Sequence, residues 1–254
     1  MSGNKDRPRL VALFTDFGGH GLYTGQMEAA LYSAGVSQPI VNLMSSAPCF
    51  NPWASSYLLA ALCDVMPDPT LFLAIVDPGV GGERLPLLLK AGRHWFVGPD
   101  NGLLSQVIGQ SQETQLQVID WQGRQPSASF HGRDLFAPVA AVVARGGPVS
   151  GKMLRPSDVV GADWPEDIPE VIYVDDFGSA ITGLRATRYP QNMALSVPGV
   201  SLLPAARTFS EVPVGRPFWY ANSLGLIEIA VNQGRADHLL GLKIGDPVQL
   251  GAAT

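Results

Sequence analysis

At 254 residues the chain is long enough for two unequal domains, each burying a core without disulfides or a structural metal. Apolar residues supply 46% and charged residues 15%, which excludes intrinsic disorder, while 28 glycines and 21 prolines without a G-X-Y period imply tight turns between short elements. A net charge of −5 with no basic cluster excludes a nucleic-acid partner held through its phosphates.

RLVALF (9–14) predicts a buried strand, followed by a helix over residues 22–34. PIVNLM (39–44) predicts a second strand and residues 52–66 a second helix, with Pro52 in the first turn, where its missing N–H is not needed. TLFLAIV (70–76) is almost continuously apolar, as in a strand covered on both faces. LPLLLKAG and RHWFVG then predict a hairpin, LQVID (116–120) a further strand, and residues 134–145 a helix stopped by Gly146 and Gly147. This alternation predicts an α/β layered domain with a mostly parallel sheet over residues 1–160.

The pattern changes at GADWPEDIPE (161–170), whose two prolines and four acidic residues read as a linker. Residues 171–254 carry short strands such as EVIYVDD, SAITGLRA, RPFWYAN and LGLIEIAV, which predict a smaller all-β barrel domain. Residues 1–9 are polar, and no apolar run approaches the roughly 18 residues of a membrane span, so a soluble cytoplasmic protein without a membrane partner is expected. Cys49 and Cys63 form no CxxC and read as two buried thiols in a reducing compartment.

Several motifs fail on inspection. Residues 146–152 fit GxxxxGK, but Met153 follows without a hydroxyl for Mg²⁺, and the segment comes after a helix rather than a strand. There is no GxSxG, HExxH or GxGxxG in the required setting, and His20, His94, His131 and His238 lack metal-ligand spacing, so no metal is expected. What remains is polar residues where strands end: TDFGG (15–19), DPGVGGER (77–84), GPDNG (98–102) and FHGRD (130–134). Each alone fits turn chemistry. Together they fit the ligand crevice that open α/β sheets form outside the carboxyl ends of their strands.

These loops carry a resemblance. TDFGGHGLYTGQMEA, VDPGVGGER, GPDNGLL, FHGRDLFAPVAA and NSLGLIEIAVNQGRAD occur in one order over nearly the whole chain. The combination resembles the S-adenosylmethionine hydroxide adenosyltransferases, relatives of the S-adenosylmethionine-dependent fluorinases and chlorinases. The resemblance implies an N-terminal α/β domain with a C-terminal β-barrel and hydrolysis of S-adenosylmethionine to adenosine and methionine without a cofactor. It also implies a homotrimer with each site between the N-domain of one subunit and the C-domain of the next.

By the same resemblance Asp77, Arg84 and His131 form the catalytic set, and Asp16 grips the ribose hydroxyls. Trp53, in NPW, lines the methionine end. Asp175 meets the methionine amino group and Phe177 forms an adenine wall, with Asp176 a rival for the inward carboxylate. Asn222, Ser223, Glu228 and the backbone near Val231 meet the methionine carboxylate or the adenine edge. One departure stands out: the family pattern has asparagines where this chain has Ser179 and Gly183. Ser179 keeps a hydroxyl but lacks the amide's paired donor and acceptor, which implies weaker adenine binding or tolerance of another purine.

The chemistry suits these residue types. A sulfonium departs as a neutral thioether and needs no general acid, so the site must position a nucleophile in a desolvated pocket and hold the ribose. Arg84 near water favours hydroxide, with Asp77 orienting it or taking its proton and His131 relaying the proton or holding Asp77. Plain alternatives are an Arg84–Asp77 loop pair, a capping role for His131 or Asp16, and core positions for Trp53, Phe177 and Trp219. A halogenase is the near rival, disfavoured because the Asp77 carboxylate repels halide. A non-catalytic sensor of adenosine or S-adenosylmethionine is the rival of another class, kept open by the altered asparagine motif.

Overall fold

The computed structural model describes residues 6–252, which divide into one compact unit ending at Trp164 and a second starting at Pro165. In the first unit β1 (Leu10–Thr15), α1 (Tyr23–Ser33), β2 (Ile40–Met44), α2 (Pro52–Cys63) and β3 (Thr70–Ile75) alternate. The hairpin β4 (Pro86–Ala91) and β5 (His94–Pro99) follows, then α3 (Ser105–Gln110), β6 (Thr114–Ile119), α4 (Ala137–Ala144) and β7 (Gly151–Met153). All seven strands form one sheet in the order β2-β1-β3-β5-β4-β6-β7. The stretch from β2 to β5 is parallel, and β4, β6 and β7 continue it antiparallel.

Every residue of β3 is buried, as its unbroken apolar run requires of a strand covered on both faces. Met27 and Leu31 of α1 and Ala137, Ala140 and Ala144 of α4 pack with Val11, Leu13, Leu71 and Leu73 of the central strands. Helix α2 starts on Asn51, whose side chain accepts the Ala54 N–H at 3.0 Å, with Pro52 in the first turn. The GxxxxGK segment runs into edge strand β7 and opens no helix, so it offers no helix N-terminus to a phosphate. Helix α3 and strand β7 escaped the sequence reading: six and three residues are too few for a periodicity to declare itself.

The second unit contains β8 (Ile168–Val174), β9 (Ala180–Arg185), β10 (Met193–Val197), β11 (Val200–Leu203), β12 (Pro217–Ala221), β13 (Leu226–Val231), a short helix α5 (Ala236–Leu240) and β14 (Gln249–Ala252). Two antiparallel sheets result, β12-β13-β9-β8 and β11-β10-β14. One core draws on both: Trp219, Ile227, Ile229 and Val231 of the first sheet with Leu195, Val197 and Leu203 of the second. Trp219 is therefore a core residue, 1% exposed. Strand β8 begins at Ile168, inside the segment that composition marks as a linker.

Both cysteines are free thiols. Cys63 is buried, and burial pushes its thiol pKa up. Cys49 is exposed, contrary to the expectation of two buried thiols, because the loop between β2 and α2 leaves the core for the rim of the sheet. Among the described residues no helix is long and apolar enough to cross a membrane.

Candidate active site

Strand register brings the first cluster together. In the parallel pair β1 and β3, Thr15 lies opposite Ile75, so the chain continues from adjacent strand ends into Asp16 and, one residue further along, Asp77. The next parallel strand, β5, ends at Pro99 on the same edge, and Asn101 beyond it donates its amide to Val76 O at 2.8 Å, steadying the backbone just before Asp77. Asp100 accepts the Val160 N–H at 3.0 Å. The GPDNG loop thus supplies support within this unit.

Asp77 and Arg84 close the β3–β4 loop on itself. Arg84 Nε donates to both Asp77 oxygens at 3.0 Å, and Nη2 donates to Oδ2 at 2.6 Å. The side chains are only 9% and 5% exposed, and the guanidinium lies over the Phe136 ring at 5.3 Å. Arg84 Nη2 also reaches His131 Nδ1 at 2.9 Å. An arginine only donates, so Nδ1 is the acceptor and the imidazole carries its proton on Nε2. Burial first, and the Arg84 charge second, lower the His131 pKa; Asp77 and Asp134 oppose them.

Gly81 makes this loop possible. Its φ of +81° lies in the left-handed region, and a Cβ there would run into Ala128 O, so only glycine lets the 77–84 loop press against the loop leading to His131. On the other side, Arg133 donates to Asp134 Oδ1 at 2.6 Å and to Gln26 of α1 at 2.8 Å, while Asp134 accepts the Ser127 N–H at 3.0 Å. The polar residues of FHGRD other than His131 therefore fasten the loop. Residues Gly132–Phe136 form a single π-helical turn immediately after His131, a local widening that a helical sequence pattern does not announce.

A cavity of about 350 Å³ opens over this cluster, lined by Asp16, Asp77 and His131 with the aromatic rings of Phe17, Tyr23 and Phe130. Asp16 Oδ2 accepts the Phe50 N–H at 3.0 Å. Burial raises the Asp16 pKa and the Asp77 charge adds a smaller push, against the pull of the Phe50 N–H. Phe50 itself stands 78% exposed at the rim. Trp53 does not line this cavity; its ring meets Tyr57 at 5.6 Å and Trp164 at 4.6 Å.

The second unit holds the other sequence-derived candidates around a separate open cavity of about 860 Å³: Asp175, Phe177, Ser179, Asn222, Ser223, Glu228 and Val231. The β8–β9 turn is tight, with Asp175 Oδ1 accepting the Ser179 N–H at 2.8 Å and Gly178 at φ +82° where a Cβ would strike Asp237. Asp175 is half-buried and Asp176 exposed, while Phe177 projects with 82% of its surface exposed. Gly183 lies against Ile168, whose side chain leaves no room for a Cβ, so packing accounts for the missing asparagine there.

Glu228 is 6% exposed and fully engaged: Tyr220 Oη donates to Oε1 at 2.6 Å and Asn222 Nδ2 to Oε2 at 2.9 Å. Tyr220 and Phe209 also line this cavity, and sequence reasoning missed both. The available signal for Tyr220 was alternation along RPFWYAN, which puts it on the same sheet face as Glu228, its partner across β12 and β13.

Among the described residues no group of three or more His, Cys, Asp or Glu side chains is placed to hold a metal ion. Residues 11–152 match the family model described as SAM hydroxide adenosyltransferase N-terminal domain, and residues 169–249 match the corresponding C-terminal domain. The chain is 35% identical to an (R)-S-adenosyl-L-methionine hydrolase of Thermus thermophilus, over 95% of this chain and 99% of that one. It is 33% identical to a protein of the same name from Salinispora arenicola, over 95% and 97%. A fluorinase of Actinopolyspora mzabensis is more distant, at 22% identity over 98% and 99%. Among solved structures, an uncharacterized conserved protein from Thermotoga maritima superposes with a TM-score of 0.85 at 29% identity, covering 94% of this chain and 99% of that one. With both domain models matched in order and full-length relatives above 30% identity, the chain belongs to the SAM hydroxide adenosyltransferase family.

Proposed function

We propose that the protein hydrolyses S-adenosylmethionine, with R configuration at the sulfonium as in the names of its relatives, to adenosine and L-methionine. The observation that carries this reading is that Asp77 and His131, both bonded to the Arg84 guanidinium, line one cavity together with Asp16. The water oxygen bonds to the ribose 5′ carbon as the C5′–S bond breaks, and the bonding pair stays on sulfur to give neutral methionine thioether. The surplus proton passes to Asp77 or to solvent. Free water has a pKa of about 15.7, so a buried cation beside it is needed to favour hydroxide, and Arg84 supplies that charge. Asp16 accepts hydrogen bonds from the ribose hydroxyls, and this positioning contributes part of the roughly 7–11 kcal/mol available from well-aligned reactants.

The anionic Asp77 beside the nucleophile site favours water over halide, in line with the closer likeness to hydrolases than to fluorinases. The second unit's cavity takes the remainder of the substrate, with Phe177 against the adenine and Asp175 and Ser223 toward the methionine end. We further propose a cytoplasmic homotrimer in which the first unit of one subunit and the second unit of its neighbour complete each site. Purified protein incubated with each sulfonium epimer, with and without excess chloride, tests the reaction. Adenosine and methionine in equal amounts with or without chloride support it, whereas a chlorinated nucleoside or no turnover of either epimer overturns it. Light scattering gives the oligomeric state, and, at substrate well below KM, a mixture of Asp77→Asn and Phe177→Ala subunits more active than the two proteins assayed apart supports shared sites.

A further inference from the structure

Tyr220, Glu228 and Asn222 form a chain of hydrogen bonds whose directions are all determined. Asn222 Oδ1 accepts the backbone N–H groups of Leu224 at 2.9 Å and Leu226 at 3.0 Å. An amide oxygen so placed cannot exchange with its nitrogen without losing both bonds, so Nδ2 must face Glu228. Glu228 Oε2 receives that donor and Oε1 receives the Tyr220 hydroxyl. The Tyr220 ring has little freedom to turn away, because Phe209 packs on it at 5.4 Å and Phe218 at 5.6 Å. Burial and the Glu228 carboxylate both raise the Tyr220 pKa, which keeps the phenol protonated.

We propose that Tyr220 is a specificity residue that accepts a hydrogen bond from an amino group of the ligand in the second unit's cavity. With its proton committed to Glu228, the phenolic oxygen presents only lone pairs to that cavity. A ligand N–H is satisfied there, while a ligand carbonyl meets another acceptor and leaves both unpaired. The inference rests on the reading that this cavity holds part of S-adenosylmethionine. That ligand offers two amino groups, the 6-amino group of adenine and the α-ammonium of methionine, and one chemistry covers both.

Glu228→Gln gives the sharpest test, because it is isosteric and reverses the direction of the bond to Tyr220 while keeping the one from Asn222. The new amide must turn its oxygen toward Asn222 Nδ2, which leaves its nitrogen donating to Tyr220 and frees the phenol proton to point into the cavity. Calorimetric binding of adenosine against inosine is measured for the full chain, Glu228→Gln and Tyr220→Phe, and that of S-adenosylmethionine against its analogue lacking the α-amino group for the same three proteins with Asp77→Asn added to stop turnover. A preference of the wild type for adenosine of about tenfold or more, narrowed in Tyr220→Phe and shifted toward inosine in Glu228→Gln, assigns the contact to adenine. Discrimination confined to the second pair, and weakened in both variants, assigns it to the methionine ammonium. Equal preferences in all three proteins, or no binding of any ligand, overturn the proposal. Continued hydrolysis of S-adenosylmethionine with unchanged preferences sinks this inference and spares the proposed reaction. Altered preferences without any hydrolysis do the reverse.

Discussion

Arg84 Nη2 stands 2.9 Å from His131 Nδ1, 47 positions along the chain, while the same guanidinium grips Asp77 with three hydrogen bonds, so one cation ties Asp77 to His131. The pair is nearly closed to solvent, and the fork geometry of an arginine is what allows both contacts at once.

Replacing Arg84 with lysine keeps a charge but loses the planar fork. We expect kcat with S-adenosylmethionine to fall by at least about 100-fold with a much smaller change in KM, since a single ammonium cannot hold Asp77 and His131 together and so misplaces the charge beside the developing nucleophile. A variant within threefold of wild type on both constants removes Arg84 from the chemistry.

The lowered pKa of His131 sets a pH dependence. Its native value lies below the unfolded 6.5, so as pH falls below about 6.5 the unfolded chain binds the proton first and the native state loses stability. Above that value the neutral ring keeps its bond from Arg84 and no such loss occurs. Melting temperature measured from about pH 5 to 8 therefore rises with pH more steeply in the wild type than in His131→Asn. The acid limb of kcat/KM, which reports the free enzyme, has its midpoint below 6.5. Superimposable melting curves for the two proteins contradict the assignment.

Gly81→Ala places a side chain in a left-handed backbone against Ala128 O. The expected cost is about 1–3 kcal/mol of stability, read by urea denaturation, together with a loss of turnover as the 77–84 loop shifts. Unchanged stability and activity would falsify the role given to this glycine.

Phe177 offers the opposite case. With 82% of its surface exposed it contributes nothing to the core, so Phe177→Ala leaves the unfolding midpoint in denaturant nearly unaltered when the ligand is absent. Loss of base stacking, worth about 1–3 kcal/mol, raises KM by roughly tenfold. A large drop in stability instead indicates that Phe177 is covered by protein.

Much of the architecture was legible in the chain. The runs at 10–14 and 71–76 are apolar without interruption because strands buried on both faces must be, and the strand endings follow from the polar turns that stop them. Helix α3 and strand β7 were hidden by shortness, and the π-helical turn after His131 by its likeness to an ordinary helical pattern. Trp53 packs its ring on Tyr57 and Trp164 and is half-buried, whereas Phe177 stands exposed. Residue type alone could not separate it from Phe177, because burial is a property of the packed fold.

The sequence by itself determined the two compositional regimes, the polar loops at strand ends and the motif order that marks the family. Tertiary structure alone decided which polar residues in those loops face a cavity and which fasten backbone. Asp134 and Arg133 spend their charges on each other and on Ser127 and Gln26, whereas Asp16 and Asp77 converge because two parallel strands end in register. It also decided the direction of the Tyr220–Glu228–Asn222 hydrogen bonds. The physical reason is common to both: a donor or acceptor is committed only by the partner that folding brings within about 3 Å, and those partners lie far apart or on different strands of the chain.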